Sequence, residues 1–299
     1  MKLIRPTAIT PAMITACNVP ETDYAAWLTG TSYVVGDRCI DGHKIYYCLI
    51  NNSASQPSLN TTGTTPKWLD EGYDNRWKMF DQLVGSQTAQ ATSITLTLVP
   101  GLFDSIAFLD VDASTIDIVM TDPTEGIVYH ETIDMITKSG IIDAYTYFFE
   151  PIITDDACVL MGIPAYGAAA ISIIISNPGS TAKVGTLVVG AQKELGGTQY
   201  NPTIGITDYS AKTTDVFGNT TVVQRAYTKR MSCELFLDNS AVDDLQRTLA
   251  SYRTTPLVWV GEDSGTFSAM IIYGFYKSFA IAIPYPNNST CSIEIEGLA

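Results

Sequence analysis

The side chains of this chain that could move a proton or hold a metal are few and poorly placed for either task. There are two histidines, His43 and His130. His43 immediately follows a turn signal, and His130 lies in Val128-Tyr129-His130-Glu131-Thr132. Neither belongs to His-Glu-x-x-His or stands beside a Gly-x-Ser-x-Gly elbow. Tyr129-His130-Glu131 reads as alternating strand rather than as a catalytic fragment. Asp155-Asp156 and Asp243-Asp244 are adjacent carboxylates. Neighbours on a strand point to opposite faces, and the second pair falls in the first turn of a predicted helix. Hydrolysis of a sugar needs two carboxyls across one bond, which neither pair offers. No Walker loop occurs, and Gly196-Gly197 precedes no predicted helix that could cradle phosphate. The six cysteines, Cys17, Cys39, Cys48, Cys158, Cys233 and Cys291, include no Cys-x-x-Cys, so neither zinc nor a redox dithiol is signalled. All six read as reduced, mostly buried thiols. The expectation is a protein that is not an enzyme and that uses no metal and no cofactor.

The residues with more to offer are aromatic. Three of the four tryptophans, Trp27, Trp68 and Trp77, fall between Trp27 and Phe80, with Tyr33, Tyr46, Tyr47 and Tyr73 among them and Tyr24 just before. Val34 to Ile40 and Lys44 to Ile50 are strand-like runs on either side of Asp41-Gly42. Asp-Gly between two such runs is the strongest short hairpin signal. A two-residue turn there would pair Ile40 with His43 and Cys39 with Lys44. A unit this small buries little aliphatic core, so large rings must supply the packing.

This stretch resembles small carbohydrate-binding modules of the chitin-binding type. The matching positions are Ala26-Trp27, Tyr33, Gly36, Asp37, Gly42, Tyr46, Pro57 and Trp68. The family usually places exposed tryptophans just after the second-strand tyrosine, where this chain has Cys48, Leu49 and Ile50. Two readings are open. The rings are either the core of a small spacer, or some of Tyr47, Trp68, Tyr73 and Trp77 stack on a sugar face; these four are the candidate carbohydrate-binding residues.

Composition narrows the partners. Hydrophobic residues make up 46% and charged residues 16%, which describes folded rather than disordered material. The net charge of −14 argues against nucleic acid and against anionic membrane surfaces. The first residues lack the apolar run of a signal peptide, and the most apolar stretch, Tyr166 to Ile175, is too short to span a bilayer. Synthesis in a cytoplasm without membrane insertion is expected.

The chain is expected to be mainly β and to divide into four parts. Residues 1–21, with Pro6, Pro11 and Pro20, form an extended arm that packs on a neighbouring domain or subunit, with a disordered tail as the alternative. Residues 22–82 are the aromatic module. Residues 83–180 are a β-sandwich, with strands at Ser93–Val99, Ser105–Val111, Thr115–Thr121, Gly126–Glu131, Ala144–Glu150 and Ala170–Ser176, the last stopping at Asn177-Pro178-Gly179. Residues 181–299 form a β domain with one helix. Its strands are Val184–Gly190, Thr220–Leu237, Leu257–Gly261, Met270–Phe275, Lys277–Pro284 and Thr290–Glu296. Met231, Cys233, Leu235 and Leu237 share one face. Asn239 or Ser240 caps a helix reaching Tyr252, with Val242, Leu245, Leu249 and Tyr252 as its apolar stripe.

The last part is similar to tail proteins of bacteriophages with long non-contractile tails. The runs that carry this are Gly190 to Tyr200, Gly218 to Arg230, Pro256 to Gly261, Ile272 to Phe279 and Cys291 to Leu298. The resemblance implies a virion structural protein of a tail tip or baseplate, made in the host cytoplasm. Its implied partners are other tail proteins, further copies of itself and a host cell-surface glycan. An accessory chain of a glycan-processing enzyme and a purely architectural spacer are the alternatives. Val222-Val223 and Ile271-Ile272-Tyr273 are apolar on consecutive positions, so both faces of those strands need cover. Either the domain's own core or an oligomer could provide it.

Overall fold

The computed structural model describes residues 1–83, 85–136, 143–149, 154–262 and 267–298. In chain order the strands are β1 (Lys2–Pro6) and β2 (Ile14–Cys17). The aromatic module follows with β3 (Arg38–Asp41), β4 (Lys44–Cys48) and β5 (Trp68–Tyr73). Next come β6 (Thr88–Leu98), β7 (Ser105–Asp112), β8 (Thr115–Asp122), β9 (Gly126–Asp134), a short helix α1 (Ala144–Phe149), β10 (Ala157–Met161) and β11 (Ala170–Glu194). The remainder holds β12 (Gly197–Thr198), β13 (Thr203–Asp208), β14 (Ala211–Thr214), β15 (Thr220–Val223), β16 (Tyr227–Asp238), α2 (Val242–Ser251), β17 (Leu257–Val260), β18 (Ile271–Ala282) and β19 (Asn288–Gly297). The molecule is mainly β, as expected, with one sizeable helix near the C-terminus.

One antiparallel network joins most of this. Its main path runs β10-β7-β11-β1-β17-β18-β19-β16-β12, while β3-β4-β5 and β14-β15 stand apart as separate small sheets. The hub is β11. Its first half pairs with β6 and β8, and its second half with β6, β7 and β1. The sequence predicts a stop at Asn177-Pro178-Gly179 and a boundary at residue 180. The strand instead continues through both, with its register shifting between Ser176 and Thr181 and Gly179 at φ 82°. Proline is tolerated at a bulge because no ladder donor is required there, so the chain bends without ending.

The N-terminal segment is built into the same network. β1 lies between β11 and β17. Leu3 and Ile4 are fully buried and face opposite cores, Leu3 packing with Trp259, Ile272 and Leu235, and Ile4 with Ala107, Val188 and Tyr273. Each such burial contributes about 1.5–3 kcal/mol. Gly190 permits the approach, since a Cβ there would lie 2.0 Å from the Arg5 carbonyl oxygen. The sandwich core gathers alternate residues of four strands, among them Leu96, Phe108, Ile118 and Ile173.

Three further expectations are corrected. Ala144–Phe149 is helical, not a strand, and Glu150 lies outside the described residues. Aromatic preference for strands reflects fit to a half-buried sheet. Here Tyr145, Phe148 and Phe149 are exposed, and Tyr145 meets Phe149 one helical turn on, at 4.9 Å between ring centres. Thr220–Leu237 is two strands, β15 and β16, although Met231, Cys233, Leu235 and Leu237 do share the buried face. No side chain caps α2; Asn239 instead donates its amide to the carbonyls of Tyr285 and Pro286.

Candidate binding surface

The aromatic module is a three-stranded meander with two unlike faces. The inner face of β3, β4 and β5 collects Cys39, Tyr46, Cys48 and Trp68, closed over by Tyr33. Trp68 has no exposed surface. Its ring meets Tyr33 edge-on at 5.2 Å, and its Nε1 donates to the Ser55 carbonyl at 2.8 Å. Burial with the polar edge satisfied is how tryptophan anchors a small core. All six cysteines are free. Cys39 and Cys48 share this core, but their cross-strand partners are Tyr46 and Trp68.

The hairpin differs from its predicted register. Asp41 pairs with Lys44, so the turn residues are Gly42 and His43, at φ 58° and 70°. Asp41 stays in the ladder because its carboxylate accepts from Gln56 Nε2 and the Ser58 amide. His43 is held left-handed by its ring, which bonds Glu21 through Nδ1 at 2.9 Å and stacks on Trp77 at 4.4 Å. Moving the turn by one position shifts every cross-strand partner by two. Arg38 therefore stands opposite Tyr47, and Tyr47 opposite Leu69.

That register builds the outer face. The Arg38 guanidinium lies 5.0 Å from the Tyr47 ring centre and 5.8 Å from that of Tyr24. Glu71 holds it bidentately, Nε at 2.6 Å and Nη2 at 3.0 Å, which fixes the plane of the fork. Arg38, Tyr24 and Leu69 are exposed and Tyr47 is partly so. At the end of the same sheet Lys44 lies 5.1 Å from the Tyr73 ring centre and bonds Asp70 at 2.7 Å. That hydrogen bond holds the Lys44 ammonium above its ordinary pKa. The arrangement offers flat carbon surface beside fixed charge-assisted donors and acceptors, the combination that grips a ring with one apolar face and polar edges.

Of the four residues singled out from the sequence, the structure separates two from two. Tyr47 and Tyr73 keep accessible rings; Trp68 and Trp77 are buried. Trp77 sits where the module meets the sandwich. It packs edge-on to Phe80 at 5.7 Å, and its Nε1 donates to Glu21. Around it Arg76 Nε donates to the Val19 carbonyl at 2.6 Å, and Asn75 exchanges two hydrogen bonds with Ala89. Asp74 is wholly buried at this seam, with no hydrogen bond to either carboxyl oxygen among the described residues. Burial, reinforced by Glu21 and Asp23, pushes its pKa up to about 6. Tyr24 and Arg38 were not legible as site residues, because their contacts depend on the hairpin register. The only available signal was the order Arg38…Tyr47 around the turn.

Several other polar groups noted in the sequence are engaged in local pairs. His130 Nε2 bonds Asp117 at 3.0 Å, and Thr132 donates its hydroxyl to the same carboxylate and not to the imidazole. Asp156 pairs with Lys229 and Asp244 with Lys193, each at 2.7 Å. Among the described residues no three histidine, cysteine or acidic side chains converge as a metal site, and no helix is long and apolar enough to cross a membrane. No protein-family model matches the chain, and no curated protein matches it.

Proposed function

We propose that this chain is a non-enzymatic structural protein of a phage tail tip or baseplate, which presents the aromatic module to a host cell-surface glycan and assembles with other tail proteins. The observation that carries the glycan reading is the row Arg38–Tyr47–Leu69 across three strands, extended by Tyr24. A pyranose set against this row would meet the uncovered part of the Tyr47 ring and the Leu69 side chain, with its hydroxyls toward the Arg38–Glu71 pair that lies over Tyr47. The tail context is supported by the resemblance of Gly190–Tyr200 and the later runs to tail proteins, and by a mainly β body. Localisation in the virion follows from that context.

A purely architectural spacer is favoured by one observation, the burial of Trp68 and Trp77. A glycan array probed with the full chain separates the two. Retention that is lost in Tyr47→Ala and Arg38→Ala, with circular dichroism unchanged, is the expected result. No retained glycan, or equal retention by both variants, overturns the binding reading. Detection of the chain in purified tails tests the virion assignment, and its absence from them overturns that assignment.

A further inference from the structure

We infer that an open cavity at the end of the core layer between β7, β10 and β18 binds a small organic amine, its apolar part on the cavity wall and its ammonium on Asp110. The inference is independent of the glycan and tail readings. The cavity measures about 250 Å³ and has Leu109, Ala157, Tyr273 and Leu298 on its apolar side. These four belong to or pack against the buried cluster of Ile4 and Val258, so the wall continues a packed core.

Asp110 breaks the pattern of its strand. Alternate residues on a strand share a face. Leu109 and Val111 are two positions apart, yet they lie in different cores. Asp110 between them takes φ 55°, a left-handed backbone inside β7, and this reverses the alternation. The ladder pairs Leu109 with Thr186 and Val111 with Val184, which sets Asp110 against Gly185. A Cβ on Gly185 would lie 2.7 Å from the Asp110 Cβ and 2.9 Å from its Oδ2, so any side chain there would displace the carboxylate. Strain of this kind persists only where the surroundings hold it, and it gathers at ligand sites. Here it sets a carboxylate in the lining of the cavity, with a bare glycine beside it.

The class of ligand follows from charge. Gln87 reaches only the backbone carbonyl of Asp110, at 3.3 Å. The Asp110 carboxylate has no hydrogen bond and no ion pair among the described residues. The other charged residues of the lining, Asp156 and Lys229, pair with each other at 2.7 Å. Two carboxylates against one ammonium leave one negative charge in excess, and it lies at Asp110. Burial pushes the Tyr273 phenol up to about 12, so that ring adds no charge. An anion would be repelled, and a wholly apolar molecule would leave Asp110 desolvated and unpaired. An amine on an apolar body satisfies both the wall and the carboxylate. An apolar cavity of about 150 Å³ holds benzene. The larger volume here admits a ring with a short amine chain.

The test is calorimetric titration of the full chain with phenethylamine and with its neutral analogue, phenethyl alcohol. The amine is expected to bind saturably, one per chain, and at least about tenfold more tightly than the alcohol, the scale of a hydrogen bond to a charged group. Asp110→Asn keeps a side chain that tolerates the left-handed backbone and removes the charge. It should bring the amine down to the level of the alcohol, with circular dichroism unchanged. Ala226→Trp places a large ring at an exposed position of the lining and should weaken both ligands. No saturable binding of the amine to wild type overturns the inference, as does equal affinity for amine and alcohol. Undiminished amine binding in Asp110→Asn overturns the role of the carboxylate, and undiminished binding in Ala226→Trp places the amine outside this cavity.

Discussion

Ile271-Ile272-Tyr273 and Val222-Val223 have the same sequence texture and opposite fates. The first run lies in β18 between β17 and β19, with Ile272 in one core and Ile271 and Tyr273 in the core on the other side of the sheet. The second lies on a ribbon with both faces in solvent. Consecutive apolar residues state that two faces need cover; they do not state who supplies it. For β18 the chain supplies both layers, the second because β1 and β17 bring Ile4 and Val258 beneath it. For β15 the described residues supply neither. The module repeats the contrast on a smaller scale, with Trp68 wholly covered and Tyr47 partly exposed.

The largest effect should come from the covered ring. Trp68→Ala is expected to cost the module about 3–5 kcal/mol, the scale for a fully buried aromatic, whereas Tyr47→Ala should stay near 1 kcal/mol or less. Chemical denaturation followed by tryptophan emission measures both, and equal losses would erase the distinction between the two faces. Ile272→Ala should cost about 2–4 kcal/mol by the same cavity argument, and Val222→Ala no more than about 0.5 kcal/mol in the monomer. A Val222 variant as unstable as Ile272→Ala would mean that the β14–β15 hairpin is packed on the body of its own chain. Gly42→Val places a branched side chain at φ 58° and should cost roughly 1–3 kcal/mol, read as a lowered melting temperature. An unchanged melting temperature would contradict the turn at Gly42-His43.

The contrast extends to charge. Asp74 is buried and its folded pKa, about 6, lies above the ordinary 3.8. Its contribution to stability is therefore complete below about pH 4 and is lost as pH rises through 6. Asp74→Asn should then gain roughly 1–3 kcal/mol over wild type at pH 7 and little at pH 3. Identical differences at both pH values would show that the carboxyl is not the source of the cost. Asp215, exposed in the turn between β14 and β15, is held below its ordinary pKa by the Asn219 side chain, so its smaller effect has the opposite sign and fades as pH falls. Asp215→Ala should loosen the tip, seen as faster amide exchange at Phe217 and Asn219, with the body's exchange unaltered.

Much of the architecture could be read from local pattern. Alternation at Ile94, Leu96 and Leu98, and at Met231, Cys233, Leu235 and Leu237, gave the sandwich and β16, because one face of each strand is buried and side chains alternate. Local pattern misled where a distant group decided the outcome. Pro178 looks like a terminus, yet β6 and its neighbours carry β11 past it. The Asp41-Gly42 signal yields by one position to Glu21 and Trp77, which hold His43 in the turn. Asn239 has the composition of a helix cap, but the 285–286 backbone takes its amide.

By itself, then, the sequence determined that this chain is a β protein poor in catalytic groupings, with an aromatic module near its start and one amphipathic helix near its end. Composition and periodicity are properties of neighbouring residues, and they survive without knowledge of what lies opposite. Tertiary structure alone decided that Leu3 and Ile4 would sit in two different cores, that Trp68 would face inward while Tyr47 faces out, and that Arg38 would lie between Tyr24 and Tyr47. Each of these depends on which strand is the neighbour and in what register. Register is set by contacts between residues far apart in the chain, where no local pattern reaches.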